Sequence, residues 1–290
     1  MKIFLHLYTT RLLPVGAILA TFLIGTTNAH AALSPKATEL TNLFGLPITN
    51  SMLTSWILSA LIIVVIRLMV KKPKLIPTKG QYVIETLVEG VQGLIEPIVG
   101  KHLVKPTFPL LVGFFTFILI HNWSGLLPGV GTVGTVGDDG YFNYFVRPAN
   151  ADLNMTLALA LVHFAAWIYF VMKYAGPKVL LFDLFGNKAD RKETPTVLFY
   201  FLTLIFLVVG VIEVISIIFR NVSLPFRLFG NVFGGENLLH SMTGLVSYVV
   251  PVPFYFLELL IGFVQALVFT LLVSVYIGLI CNHDSEEHAH

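Results

Sequence analysis

Charge is what this sequence has least of: only 12% of its 290 residues are Asp, Glu, Lys or Arg, about half the share of an ordinary soluble domain. With 56% hydrophobic residues and a mean hydropathy of +0.83, it reads instead as a polytopic membrane protein, all-α in class. Cysteine is nearly absent. Cys281 alone excludes a disulfide framework and any multi-cysteine metal site, and its place near the end of an apolar run suits packing. Net charge of +2 is too small to suggest a nucleic-acid partner. The inverted internal repeat common in secondary transporters is also missing, because the halves differ in span length, loop character and polar content.

What is present begins with a candidate export signal. Lys2 and Arg11 accompany the short apolar stretch Leu12–Ile24, and Ala29-His-Ala31 fits small-x-small cleavage. That stretch is short for a membrane span. Residues 1–31 are therefore expected to be a cleaved signal, with a retained, tilted anchor as the alternative. Residues 32–50 follow as an external segment, 51–281 as the membrane domain and 282–290 as a tail.

Five apolar regions divide the membrane domain. The first span is predicted over Met52–Val70, ending at Arg67 and Lys71-Lys-Pro-Lys74. Thr107–Leu127 is the second, opened by Pro106 and Pro109 and closed by Pro128-Gly129. Leu153–Tyr174 is the third, with Asp152 placed to cap its start. The fourth region runs from Pro195 to Val250 and the fifth from Phe254 to Ile280, with Pro251-Val-Pro253 as the turn between them. Gln81–Val99 differs: Val83, Ile84, Leu87, Val88, Val91, Leu94, Ile95 and Ile98 recur at helical spacing among Glu85, Glu89 and Gln92. This predicts an amphipathic helix on the membrane surface.

Basic residues orient the chain. Lys71, Lys72, Lys74 and Lys79 crowd one loop, and Lys173, Lys178, Lys188, Arg191 and Lys192 crowd the loop after the third span. Gly129–Asn150, with Asp138, Asp139 and only Arg147, is the expected external loop, which leaves the mature N-terminus outside. The fourth region is too long for one upright span. About 55 residues of helix reach beyond 80 Å, against a hydrocarbon core of about 30 Å. It either breaks near Pro225 and Gly230 or crosses steeply tilted.

Its polar residues are few and clustered. At 100° per residue, Glu213, Arg220, Ser223, Arg227 and Asn231 fall within about 80° of each other. Glu236 points to the opposite side, and His240 follows one turn later. In the fifth region Glu258, Gln265 and Tyr276 share a stripe at spacings of seven and eleven. Arg227 cannot shed its charge, which costs at least about 2.5–3.5 kcal/mol at bilayer depth. It needs a partner or a task. Plain alternatives exist for each residue. Arg227 can pair with Glu213 or Glu258, Arg220 can snorkel, and Glu236 can bond a backbone carbonyl. His240 can be a hydrogen-bonded core histidine, and Asn231 and Gln265 can bond helix to helix. Gly234-Gly235 permits close helix contact. His121 and His163 stand alone in their spans and receive no role. The terminal Glu286-Glu-His-Ala-His290 reads as solvated, so no metal or cofactor is expected.

The set of polar residues tilts the reading toward an ion path, since intramembrane ionisable groups tend to line water-filled cavities. The arrangement resembles subunit a of the F-type ATP synthase, the stator channel beside the rotating c-ring. Three blocks carry the resemblance: Ser223-Leu-Pro-Phe-Arg-Leu-Phe-Gly-Asn-Val-Phe-Gly-Gly-Glu236, Pro148-Ala-Asn-Ala-Asp-Leu-Asn-Met-Thr156, and Glu258 through Gln265-Ala266 to Tyr276. Their order, the surface helix and the polar outer loop match as well.

The resemblance implies that Arg227 is the essential arginine facing the rotor. Asn231, Glu236, Glu258 and Gln265 would line aqueous access paths with Ser223 nearby, Asp152 and Asn154 would border the outer entrance, and Glu213 could serve the exit side. Family members often pair an acid with a histidine at the Glu236 and Glu258 positions. Both are glutamates in this chain, with His240 the nearby imidazole. The resemblance further implies a steeply tilted hairpin of the last two helices and a cytoplasmic tail, while the export signal favours a bacterial plasma (inner) membrane over an organelle. The implied partners are the c-ring, peripheral-stalk subunit b, the rest of the F1Fo complex and lipid. No catalytic chemistry of its own is implied; the chain would be a subunit of a proton-driven ATP synthase. The rival readings are a stand-alone secondary transporter that binds an anionic substrate at Arg227, and a structural membrane anchor.

Overall fold

A computed structural model describes residues 37–43, 46–71, 73–127, 130, 134–136, 142–144, 146–186, 195–245 and 249–281. The expected signal (1–31), the tail (282–290) and much of the two polar loops lie outside the described residues. Seven α-helices are described: α1 Asn50–Met69, α2 Lys79–Val99, α3 Lys101–Ser124, α4 Leu153–Tyr174, α5 Gly176–Phe185, α6 Thr196–Leu245 and α7 Pro251–Cys281. Five of them, α1, α3, α4, α6 and α7, are long and apolar enough to cross a membrane. Two small antiparallel hairpins, β1 (Glu39–Leu43) with β2 (Leu46–Thr49) and β3 (Gly134–Val136) with β4 (Phe142–Tyr144), decorate the loops.

Local chemistry sets the boundaries. Thr49 caps α1 by accepting from the Met52 amide, and Thr78 caps α2 through Gln81. Asp152 caps α4, as its sequence position predicts, accepting from the Asn154 amide at 3.1 Å. Gly100 (φ 89°) and Gly176 (φ 83°) occupy the left-handed region and turn the chain between α2 and α3 and between α4 and α5; a side chain there would be strained.

Two expectations change, and one open alternative closes. Pro106 and Pro109 lie inside α3, which starts at Lys101; each removes one interior amide donor, a loss that helices of membrane proteins tolerate. Pro251 and Pro253 likewise sit in the first turn of α7, where the missing N–H would have no intrahelical acceptor. The long fourth region is one continuous helix through Pro225, an interior proline being tolerated in apolar helices of this kind. Its 50 residues rise about 75 Å.

The core lies where α3, α4 and α7 meet. Leu111, Phe114 and Ile118 of α3 pack with Phe269, Val273 and Ile277 of α7 and with Phe170 and Val171 of α4, and Leu224 and Leu228 of α6 close one side. Phe114 and Phe269 meet edge to face at 5.5 Å. Beneath them Val91, Ile95 and Val99 of α2 dock on this core, while Val83, Leu87 and Leu94 of the same apolar set stay exposed. On α1 the usual order is inverted. Asn50, Ser51, Thr54 and Ser55 are buried, while Trp56, Ile57, Leu61 and Val64 face outward. An apolar exterior over buried hydroxyls suits lipid rather than water as the surrounding solvent.

Candidate functional site

The bundle has two ends. The upper end is defined as the one where α1 and α4 begin and α3 finishes. At this end, polar side chains tie distant elements together. Ser51 donates to Asp152 at 2.7 Å, so the capping acid, 4% exposed, also anchors α1. Asn150 donates to Asn122 at 2.8 Å, and Asn122 donates onward to the Gly262 carbonyl of α7 at 3.0 Å. Trp123 donates to the Leu259 carbonyl at 3.1 Å. Arg147, 5% exposed, donates to the Ala151 carbonyl at 3.0 Å and lies over the Phe233 ring of α6.

Below this network is a small upper cavity of about 20 Å³, room for about one water molecule. Asn231 and Glu236 of α6, Glu258 and Gln265 of α7, and Asn122 of α3 line it. Glu236 Oε2 is buried without a hydrogen-bond partner among the described residues. Arg147 and Glu258 both lie within electrostatic reach of Glu236. Gly235 makes this geometry possible, because a Cβ there would run into the Glu258 carboxylate. A Cβ at Gly234 would meet nothing within 4 Å among the described residues, so within these the close contact is made at Gly235.

A larger lower cavity, about 320 Å³, opens among α4, α5, α6 and α7. Its polar lining is Glu213, Arg220 and Asn221 from α6, His163 from α4 and Tyr276 from α7. Glu213 pairs with Arg220 at 3.5 Å, and the Arg220 guanidinium sits 5.2 Å from the Tyr276 ring centre. Trp167 donates to the Tyr276 carbonyl at 3.0 Å, which ties α4 to α7 beside the cavity. At the lower end Gly210 lets α6 press against the Leu184 carbonyl of α5.

Arg227 lies along α6 between the two cavity linings and belongs to neither. It is exposed, with no ion pair or hydrogen bond among the described residues. The internal partners considered from sequence are engaged elsewhere: Glu213 holds Arg220, and Glu258 lines the upper cavity. From Val208 to Gly234 every exposed residue of α6 is apolar or glycine except Ser223 and Arg227.

The predicted polar face of α6 thus resolves into two edges. Positions seven apart drift about 20° per step on an α-helix. Relative to Glu213, Arg227 and Ser223 lie about 40° and 80° round toward the outward face, while Asn231 returns to Glu213's angle. Asn231 and Glu236 both line the upper cavity although they are about 140° apart on the helix. Asn154 is exposed, and His240, half-buried one turn past Glu236, lies outside the upper cavity's lining. Asn122, His163 and the approach of Arg147 to Glu236 had no sequence signal, since each depends on elements brought together by the fold.

A family model described as ATP synthase A chain matches residues 52–278. The chain is 30% identical over 231 residues to the protein named ATP synthase subunit a 2 of Bradyrhizobium sp. strain BTAi1, covering 80% of this chain and 88% of that protein. It is 31% identical over 223 residues to ATP synthase subunit a of Geotalea daltonii, covering 77% of this chain and 83% of that protein.

Proposed function

The chain belongs to the ATP synthase A chain family, and from that premise we propose that it is the proton-conducting stator subunit of an F-type ATP synthase, with Arg227 facing a ring of c-subunits. The observation that carries this reading is the position of Arg227. It is a fixed charge beside Ser223 on an outward face that is otherwise apolar or glycine, between two cavities lined by acids. A permanent charge in lipid is costly. A carboxylate on a neighbouring subunit relieves that cost only while it is opposite.

In this mechanism the upper cavity is the entry half-channel. Protons arrive from outside past Asp152 and Asn154, pass the polar set Glu236, Glu258, Asn231 and Gln265, and neutralise a rotor carboxylate. The neutral site then turns through lipid without the cost of burying charge. The lower cavity is the exit half-channel, where Glu213 receives the released proton. Arg227, with Ser223 beside it, attracts each new carboxylate and keeps protons from crossing between the cavities without rotation. A potential of 100 mV contributes about 2.3 kcal/mol per charge, which rotation passes to the soluble head. Helix α6, more than twice as long as the hydrocarbon core is thick, lies steeply tilted with α7. The chain sits in a bacterial inner membrane with residues 1–31 removed, 32–50 outside and 282–290 in the cytoplasm. Subunit b and the remainder of the F1Fo complex complete its contacts.

Arg227→Ala, assembled in the full complex in vesicles, is expected to reduce ATP-driven proton pumping to background while the complex still co-purifies with its c-ring. Pumping at the unsubstituted rate would overturn the reading.

A further inference from the structure

The lower cavity contains a titratable group that the channel mechanism leaves unused. His163 lies halfway along α4 and is 2% exposed. Its ring is wedged between Phe269 and Tyr276, with both ring-centre distances 6.1 Å. Nδ1 is buried and has no hydrogen-bond partner among the described residues. Leaving a buried polar atom unpaired costs stability, and a phenylalanine would fill an aromatic slot without that cost. Yet this ring borders about 320 Å³ of space that it shares with Glu213, Arg220, Asn221 and Tyr276.

These are the polar groups facing it from α6 and α7; Leu184 is the lining residue from α5, and Trp167 is its companion on α4. The Glu213–Arg220 pair is neutral as a unit, so a proton arriving on His163 meets no net positive charge from α6. His163 also lies deeper than Glu213, which is one turn from the Gly210 contact with α5 at the lower end.

We propose that His163 is a proton relay at the deep end of the lower cavity, passing protons between water there and the Glu213 side. This rests on the exit half-channel reading above. The neutral imidazole accepts a proton on one ring nitrogen, an N–H bond forming as a donor O–H breaks. The imidazolium then releases the proton on its other nitrogen to a water beside Glu213. Net charge and atoms are unchanged after each passage, and the ring, left as its other tautomer, is reset by a ring flip or by proton exchange through the cavity water before the next proton.

The test uses the assembled complex in vesicles, with ATP-driven pumping followed as the pH on the lower face is varied. His163→Gln keeps the size and hydrogen-bonding capacity but cannot titrate. It is expected to slow pumping about 10- to 100-fold, at or below the low end for a positioned proton-transfer group, and to flatten the pH profile. His163→Ala is expected to be similarly slow and to recover when imidazole is added on the lower face, a recovery that Arg227→Ala should not show. Co-purification with the c-ring checks assembly of each variant. An unchanged rate and profile in His163→Gln overturns the proposal, as does a loss in His163→Ala that imidazole does not restore. Glu213→Gln and the cavity-filling Val209→Trp separate the two ideas. If they slow pumping while His163→Gln does not, only the relay fails; if neither has an effect, the exit channel itself is misplaced.

Discussion

Arg220 and Arg227 are seven residues apart on one helix and are used in opposite ways. Arg220 has an acid and an aromatic ring of its own chain, Glu213 and Tyr276. Arg227 faces outward with no ion pair among the described residues. The two acids of the upper end divide similarly. Asp152 is committed to Ser51 and to the Asn154 amide, whereas Glu236 keeps one buried oxygen without a partner among the described residues, beside a space for water. Glu236→Gln is therefore expected to slow proton uptake from the upper side by about tenfold or more. Asp152→Asn, which preserves an N-cap and an acceptor for Ser51, should slow it less. Equal and negligible effects in pumping measurements would remove both from the path. Asp152→Ala should instead lower the unfolding stability of the purified chain by about 1–2 kcal/mol.

The element that organises the molecule is α6, and its contacts with α7 are limited by glycine. Gly235 admits the Glu258 carboxyl, and Gly262 lies against Asn122 and Trp123 of α3. Gly235→Val is expected to displace the Glu258 carboxylate, the flexible end of its side chain, out of the upper cavity. The expected outcome is slowed pumping with little loss of stability; a crystal structure with Glu258 unmoved would contradict this account. Helices were the legible part of the fold. The α4 boundaries and its Asp152 cap follow from apolar length and one acid, and the amphipathic α2 from its periodicity. The proline positions misled because a proline near a helix start resembles a turn in sequence. Pro251 and Pro253 belong to α7 itself. Whether α6 was one helix or two was undecidable from length alone, since both solutions fit the same residues.

For the molecule as a whole, two cavities with acids in their linings lie among the described residues, one among α3, α6 and α7 and the other among α4, α5, α6 and α7. If they open to opposite faces, thiols introduced at Asn231 and at Val209, in a Cys281→Ser background, should be labelled by membrane-impermeant reagents from opposite sides of sealed vesicles. Labelling of both from one side would disprove the separation. The glutamates, arginines and amides of α6 and α7 could be singled out from sequence because they lie in apolar helices with fixed angular spacing. Asn122, Arg147 and His163 could not, because their meaning comes from partners on other elements. Asn122 joins Asn150, 28 residues away, to Gly262, 140 residues away.

The stretch of α6 between the two linings has an electrical consequence. From Arg220 to Asn231 the helix rises about 16 Å along its own axis, and, tilted as the proposed function has it, spans about half or less of the hydrocarbon core along the membrane normal. Under that proposal, with each cavity joined to bulk water, most of the transmembrane voltage would fall across that interval instead of across the full bilayer. The local field around Arg227 would then be at least about twice the average, in the way that clefts with low-dielectric walls concentrate field lines. A rotor charge passing the arginine would experience most of the available voltage within one short lateral step.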